Sequence, residues 1–88
     1  MDVVGLTIGL DPDTGYQVVG VVQKNGQAVV SGIEAGDMLL QIGNFTTKGE
    51  TMGKVIDELR GKPGEIKVLT LERKGVQFQV RTKVEHLL

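Results

Sequence analysis

Three places in the sequence contain residue types that could do chemistry: two short segments and one histidine. The first segment is an acidic triplet. Asp13-Thr14-Gly15 has the residue types of a catalytic triplet whose aspartate shares a proton with a second carboxylate. The two carboxylates together activate water for hydrolysis. That chemistry needs a second aspartate from a partner lobe and a buried apolar loop. Here the triplet follows Asp11-Pro12, and this combination of Asp, Pro and Gly is typical of a hairpin turn. We therefore predict a turn at this segment and no catalytic carboxylate.

The second segment has glycine and lysine residues spaced much as in a phosphate-binding loop. Gly49-Glu50-Thr51-Met52-Gly53-Lys54 is one residue shorter than the motif in which backbone amides hold the phosphates of a nucleotide. Val55 also stands where a serine or threonine would hold magnesium. Because both the loop length and the hydroxyl ligand are missing, we predict no nucleotide site.

The third candidate is His86, the single histidine of the chain. The chain has no cysteine and no evident cluster of carboxylates, so neither a metal site nor a nucleophile–histidine pair can be built. We interpret His86 as a solvated tail residue. Asp37, which follows Gly36, is typical of an aspartate that fixes a turn by bonding the local backbone. The sequence thus predicts a non-enzymatic domain with no metal and no cofactor.

The composition limits the chain to one small domain without a surface for polyanions. Its 88 residues suffice for a single core, and without cysteine the stability must come from packing. Ten basic and 11 acidic side chains give a net charge of −1, which argues against nucleic acid or a polybasic membrane patch. The longest apolar run is far shorter than the roughly 18 residues of a transmembrane helix, so we expect no direct membrane insertion.

The 13 glycines lie between segments that have the composition or the two-residue alternation of β-strands. Five such strands are predicted: Leu6–Leu10, 16–22, Met38–Ile42, Ile66–Arg73 and 76–84. Turn residues at 11–15 join the first two strands, and the tight Lys74-Gly75 connection joins the last two. The alternation is cleanest in 76–84, which predicts one buried and one solvent-facing side.

Residues 51–60 have the periodicity of an amphipathic helix. Thr51 is available as the N-cap, and four apolar residues recur at helical spacing: Met52, Val55, Ile56 and Leu59. Gly61-Lys62-Pro63-Gly64 then ends the helix. A second helix of one or two turns is predicted at 27–31, ending at Gly32. Together these elements predict a β-rich α+β domain, a five- to six-stranded curled sheet or open barrel capped by one long and one short helix.

Three segments, in this order, resemble the motifs of a PDZ domain. Gly5-Leu6-Thr7-Ile8 resembles the Gly-Φ-Gly-Φ loop that binds a peptide carboxylate. Residues 31–42, Ser-Gly-Ile-Glu-Ala-Gly-Asp-Met-Leu-Leu-Gln-Ile, resemble the family's Ala-Gly-Ile/Leu-x-x-Gly-Asp-x-Ile/Leu-x-x-Ile/Val run, the most specific of the three. Residues 59–64, Leu-Arg-Gly-Lys-Pro-Gly, resemble the Leu-Arg/Lys-Gly-x-x-Gly turn after the groove helix. The resemblance covers nearly the whole chain and implies the PDZ fold.

The Arg-Gly-Lys-Pro-Gly turn and the chain ends resemble the bacterial subtype of carboxyl-terminal processing proteases and trypsin-like periplasmic proteases. In that permuted arrangement the strand that precedes the carboxylate loop in animal PDZ domains is supplied from the C-terminus, and 76–84 offers such a strand. Three departures are Gly26-Gln27-Ala28 for Ser-Pro-Ala, Ile42-Gly43-Asn44 for Ile-Asn-Gly, and Thr7 for the second glycine of the loop. The last one concerns function, because a β-branched residue narrows the backbone conformations of the loop.

The resemblance implies that an extended peptide or protein C-terminus adds as a strand to the edge of Leu6–Leu10. The amides of Leu6, Thr7 and Ile8 would hold its carboxylate. The apolar side chains of this strand and of the helix would enclose an apolar terminal residue. The residues expected at the site are Gly5, Leu6, Thr7, Ile8, Gly9, Leu10, Met52, Val55, Ile56 and Leu59.

Met52 stands at the start of the groove helix, where a histidine of the family selects Ser or Thr two residues before the peptide's end. A thioether cannot make that hydrogen bond, but it is apolar and adaptable. We therefore predict an apolar preference at that peptide position. The alternative is that Met52 packs on the core, as the stripe of any core-facing helix would.

The resemblance further implies a substrate-recognition or regulatory domain of a bacterial protease, located in the periplasm or cell envelope. The alternative is a structural interaction domain, as in secretion machinery, whose groove is filled by its own chain or a partner subunit; the tail Glu85-His86-Leu87-Leu88 could even enter a neighbour's groove. Because Met1-Asp2 leads abruptly into Val3-Val4-Gly5, we interpret 1–88 as a single PDZ-like domain excised from a larger protein, with an added start residue. We expect it to be monomeric in isolation.

Overall fold

A computed structural model describes residues 2–3, 6–22 and 32–86. The elements within these ranges are β1 (Asp2–Val3), β2 (Leu6–Leu10), β3 (Gln17–Val22), β4 (Met38–Ile42), β5 (Phe45–Thr46), α1 (Met52–Leu59), β6 (Ile66–Arg73), β7 (Val76–Lys83) and β8 (Glu85–His86). The five predicted strands and the predicted longer helix are confirmed, with shifts of at most one residue at their ends. The short helix predicted at 27–31 lies outside the described residues.

Six strands form an open, curled sheet in the spatial order β2–β3–β4–β6–β7, with β5 paired to β4. Every strand pair in this sheet is antiparallel. In the part of the chain that is described, β2 forms one edge of the sheet and β7 forms the other. The sheet and α1 confirm the predicted β-rich α+β fold.

The two shortest strands at the chain ends, β1 and β8, pair with each other outside the main sheet. Asp2 lies opposite His86, and Val3 lies opposite Glu85. The backbone of His86, which the sequence analysis interprets as a solvated tail residue, therefore belongs to a strand. The C-terminal strand predicted at 76–84 is β7, which pairs with β6 along its whole length, and β8 follows it to pair with β1.

The helix α1 begins and ends as its capping residues require. The Thr51 hydroxyl accepts a hydrogen bond from the Lys54 amide at 3.2 Å, which confirms the predicted N-cap. At the other end the Arg60 amide donates to the carbonyls of Ile56 and Asp57. A cap of this kind satisfies backbone groups that would otherwise lack partners at the helix ends.

The hydrophobic core lies between the sheet and α1. Its buried members come from β3, β4, α1, β6 and two residues outside the elements: Val19, Ile33, Leu39, Ile42, Val55, Leu59, Leu69, Leu71 and Val84. Leu6 and Ile8 of β2 are half-buried and pack against this cluster. The apolar side of the predicted helix is thus the side that fixes α1 to the sheet and places it beside β2.

A charged cluster ties the loop before β4 to the end of β6. The Asp37 carboxylate, whose side chain is 1% exposed, accepts a hydrogen bond from the Glu34 amide at 2.9 Å, which confirms the predicted turn. It also accepts two hydrogen bonds of 2.7 Å from the Arg73 guanidinium. Arg73 in turn donates to the Gly32 carbonyl at 2.9 Å and pairs with Glu34 at 2.9 Å.

Candidate functional site

The outer edge of β2 is unpaired within the described residues, and its backbone has a defined pattern there. The Asp11 amide donates to the Tyr16 carbonyl at 2.9 Å, so these two residues are a hydrogen-bonded pair. Such pairs alternate along an antiparallel ladder, and Gly9 opposite Val18 is the next one. The N–H and C=O groups of Ile8 and Leu10 therefore point away from β3, where an incoming strand could bond them.

A β-bulge interrupts the pairing of β2 with β3 near the predicted carboxylate loop. Leu6 lies opposite Val22, whereas Ile8 lies opposite Val19. Thr7 alone therefore faces the two residues Gly20 and Val21. Sequence reasoning missed this bulge, because alternation along β3 does not reveal which residue of β2 each of its residues faces.

The predicted side chains of β2 lie on two sides of the strand. Leu6 and Ile8 are half-buried against the core, and Leu10, on their side of the strand, is 57% exposed. Thr7 and Gly9 alternate to the opposite side, where Thr7 is exposed. Gly5, the first residue of the predicted loop, lies outside the described residues.

The predicted helix residues differ in how accessible they are. Val55 has no exposed surface and Leu59 is 5% exposed, so both belong to the core. Ile56 is half-buried and Met52 is 43% exposed. The Cα atoms of α1 and β2 approach within 8 Å, so the two elements lie side by side. Of the four predicted helix residues, Met52 and Ile56 are the ones that retain exposed surface beyond a few per cent.

The β2–β3 turn contacts the loop before α1. The Gly49 amide donates to the Gly15 carbonyl at 3.0 Å, and Lys48 Nζ lies 5.8 Å from the centre of the Tyr16 ring. Within the turn, the Asp11 carboxylate accepts bonds of 3.1 Å from the Asp13 amide and the Thr14 hydroxyl. The acidic triplet is therefore part of a hairpin turn, as predicted.

The turn that follows α1 is held by an ion pair and by backbone hydrogen bonds. Glu65 pairs with Lys67 at 2.8 Å and accepts from the Lys62 amide at 3.2 Å. These hydrogen bonds hold the pKa of the exposed Glu65 carboxyl below its usual range. A β-carbon at Gly61 would lie only 2.6 Å from Glu65 Oε1, so a side chain there would displace the Glu65 carboxylate. The backbone of Val84 then bonds Gly64 and Glu65, which joins this turn to the end of β7.

Two other kinds of site were searched for in the ranges 2–3, 6–22 and 32–86. No group of three or more His, Cys, Asp or Glu side chains there could hold a metal ion. No helix in those ranges is both long and apolar enough to cross a membrane.

Three solved structures have a similar arrangement of strands and helix. The photosystem II D1 C-terminal processing protease is 23% identical and superposes with a TM-score of 0.91 over 99% of this chain and 24% of its own. The PDZ domain of the carboxy-terminal protease from Vibrio cholerae, in complex with peptide, is 14% identical, with a TM-score of 0.88 over 100% and 97%. The HtrA-type protease AlgW with decapeptide is 20% identical, with a TM-score of 0.84 over 96% and 29%.

These similarities establish the fold and confirm the resemblance to protease PDZ domains. The chain spans 24% of the D1 processing protease and 29% of AlgW. Residues 18–73 also match the family described as PDZ domain, which is more than half of the 88 residues. On this match, and with the same open sheet and helix beside its edge, the chain belongs to the PDZ domain family.

Proposed function

We propose that this PDZ domain binds an extended peptide or a protein C-terminus as an added strand between β2 and α1. The observation that supports this most strongly is the edge of β2, where the backbone groups of Ile8 and Leu10 point away from β3. Each backbone hydrogen bond would contribute about 0.5–1.5 kcal/mol net. Backbone bonding of this kind tolerates many sequences, so specificity must come from side-chain pockets.

The pocket for the terminal residue is formed by Leu6, Ile8 and Ile56, with the buried Leu59 and Val55 below them. Full burial of one apolar side chain there contributes about 2–3 kcal/mol. Association and ordering of the peptide oppose this gain, so the expected affinity is roughly micromolar.

The carboxylate is held by backbone amides of the segment Leu6, Thr7 and Ile8 at the start of β2, where the ladder pattern turns the amide of Ile8 away from β3. Gly9 and Leu10 extend the strand that pairs with the peptide. Met52 borders the peptide residue two before the end, and its exposed thioether favours an apolar side chain at that position.

The protein that contains this domain is a bacterial protease of the periplasm or cell envelope, and the domain is its non-catalytic substrate-recognition or regulatory part. This proposal is supported by the similarity to protease PDZ domains, two of which were solved with peptides.

Strand addition is tested by N-methylation of the peptide Ser-Gly-Val-Ala-Leu with a free C-terminus and an N-terminal fluorophore. Replacing one peptide N–H at a time removes a donor, and only alternate donors of an added strand face β2. Affinity measured by fluorescence anisotropy is expected to fall about tenfold at every second residue and to change little at the others. A loss at every residue, or at none, would contradict strand addition. No binding by this peptide or by other apolar C-terminal peptides would favour a structural role in an assembly.

A further inference from the structure

We propose that contact between Thr7 and Gly20 positions the backbone amides that hold the peptide carboxylate. Thr7 stands in the carboxylate loop in place of the glycine of the family's motif, and Gly20 lies across the bulge from it. The inference rests on the proposed function, because it concerns the shape of the same site.

The side chain of Thr7 lies close to the position that a β-carbon would take at residue 20. A β-carbon at position 20 would lie 3.1 Å from Thr7 Oγ1 and 4.0 Å from the Thr7 carbonyl oxygen. The first distance is shorter than ordinary van der Waals contact, so with a side chain at position 20 the Thr7 hydroxyl would have to shift by a few tenths of an ångström. The backbone of Gly20 is not in the left-handed region, so its conformation does not require glycine. The close approach of Thr7 is therefore the feature that a side chain at this position would disturb.

The contact lies where the register of the strand pair changes. On one side Ile8 is opposite Val19, whose side chain is 1% exposed in the core, and on the other side Leu6 is opposite Val22. A bulge bends the strand pair and changes the direction in which nearby groups point. Because Thr7 is β-branched, it has few side-chain rotamers with which to avoid a new neighbour. The contact with Gly20 thus keeps the bulge opposite Thr7 and sets the orientation of the amides of residues 6–8.

Carboxylate recognition can be measured separately from strand addition. The peptide Ser-Gly-Val-Ala-Leu is titrated both as the free acid and as the C-terminal amide, and the ratio of the two affinities reports the contribution of the carboxylate. Gly20→Ala is expected to lower this ratio about tenfold, which corresponds to about 1.4 kcal/mol. A variant that is only less stable would change both affinities alike and leave the ratio unchanged.

A double-mutant cycle tests whether the effect passes through Thr7. In a Thr7→Gly background, Gly20→Ala is expected to change the ratio by less than about twofold, because the side chain it would displace is gone. Thr7→Ala removes the contact without adding an atom and is expected to lower the ratio as well, so the test remains possible if Gly20→Ala does not fold. Urea unfolding of each variant confirms that folded protein is being compared.

Each outcome separates this inference from the proposed function. A wild-type preference for the acid that Gly20→Ala or Thr7→Ala leaves unchanged would overturn only the positioning role of Gly20. An equal loss in the Thr7→Gly background would do the same. Equal binding of acid and amide by the wild type would overturn carboxylate recognition but not strand addition, whereas binding of neither peptide would overturn the proposed function and this inference with it.

Discussion

The buried carboxylate of Asp37 joins the loop before β4 to Arg73 at the end of β6. Burial of its carboxyl favours the neutral form, but hydrogen bonds from Arg73 and from the Glu34 amide outweigh burial, so the pKa of Asp37 lies below its usual range. A carboxyl with a lowered folded-state pKa stabilises the fold fully above the ordinary value of about 3.9. That stabilisation is lost as the pH falls towards the lower pKa of the folded state.

Asp37→Asn is therefore expected to lower the free energy of unfolding by about 2 kcal/mol at neutral pH, because charge-assisted bonds to Arg73 are lost. The variant should also show less loss of stability on acidification than the wild type. Urea unfolding between neutral and acidic pH measures both effects. Asp13→Asn in the exposed turn is the matched control and should change stability by less than about 0.5 kcal/mol. Equal effects of the two substitutions would contradict a special role for Asp37.

We propose that Met52 sets the residue preference two positions before the end of a bound peptide. Its side chain is 43% exposed at the first residue of α1, so it is accessible to a ligand. A C-terminal peptide library is expected to select apolar residues at that position, and Met52→His is expected to shift selection towards Ser and Thr, since histidine can bond a hydroxyl. Selection of Ser or Thr by the wild type would show that Met52 does not set the preference.

At the level of the elements, α1 was predictable because it has a helical period, an N-cap residue and a glycine–proline stop. The long strands were predictable from two-residue alternation or, in 16–22, from a run of β-branched and apolar residues. The strands β1, β5 and β8 span two residues each, too few to show alternation. The contact of Asp37 with Arg73 joins residues 36 apart in the chain, and nothing in the local sequence pairs them. The bulge was unpredictable for a similar reason, since register depends on the partner strand.

Two glycines lie on either side of the first residue of α1. Substituting them separates the effect of backbone conformation on stability from the effect of packing. A β-carbon at Gly49 or at Gly53 would meet nothing within 4 Å, but only Gly49 has a positive φ, of 76°. Gly53→Ala is expected to stabilise the protein by about 0.5 kcal/mol, because alanine favours the helix. Gly49→Ala should destabilise it by about 1 kcal/mol, because the left-handed conformation disfavours a side chain. The opposite order in urea unfolding would mean that α1 starts elsewhere.

At the scale of the whole molecule, the family motifs identified the sheet edge and the helix of the proposed site. They did not indicate how exposed to solvent each of its residues is. Helical spacing places Met52, Val55, Ile56 and Leu59 in one stripe, yet Val55 and Leu59 are buried and Met52 is 43% exposed. Whether a residue of the stripe lines a groove or the core depends on how the sheet curls against α1. That curvature arises from strand pairing over the whole chain and is not visible in a local pattern.

The proposed site is tested most directly by following the backbone amide resonances during titration with Ser-Gly-Val-Ala-Leu in its free-acid form. Strand addition between β2 and α1 predicts that chemical shifts change within Leu6–Leu10 and Met52–Leu59, while those of β7, at the opposite edge of the sheet, do not move. Changes centred on β7, or no change with this or any other apolar C-terminal peptide, would contradict peptide binding at this site.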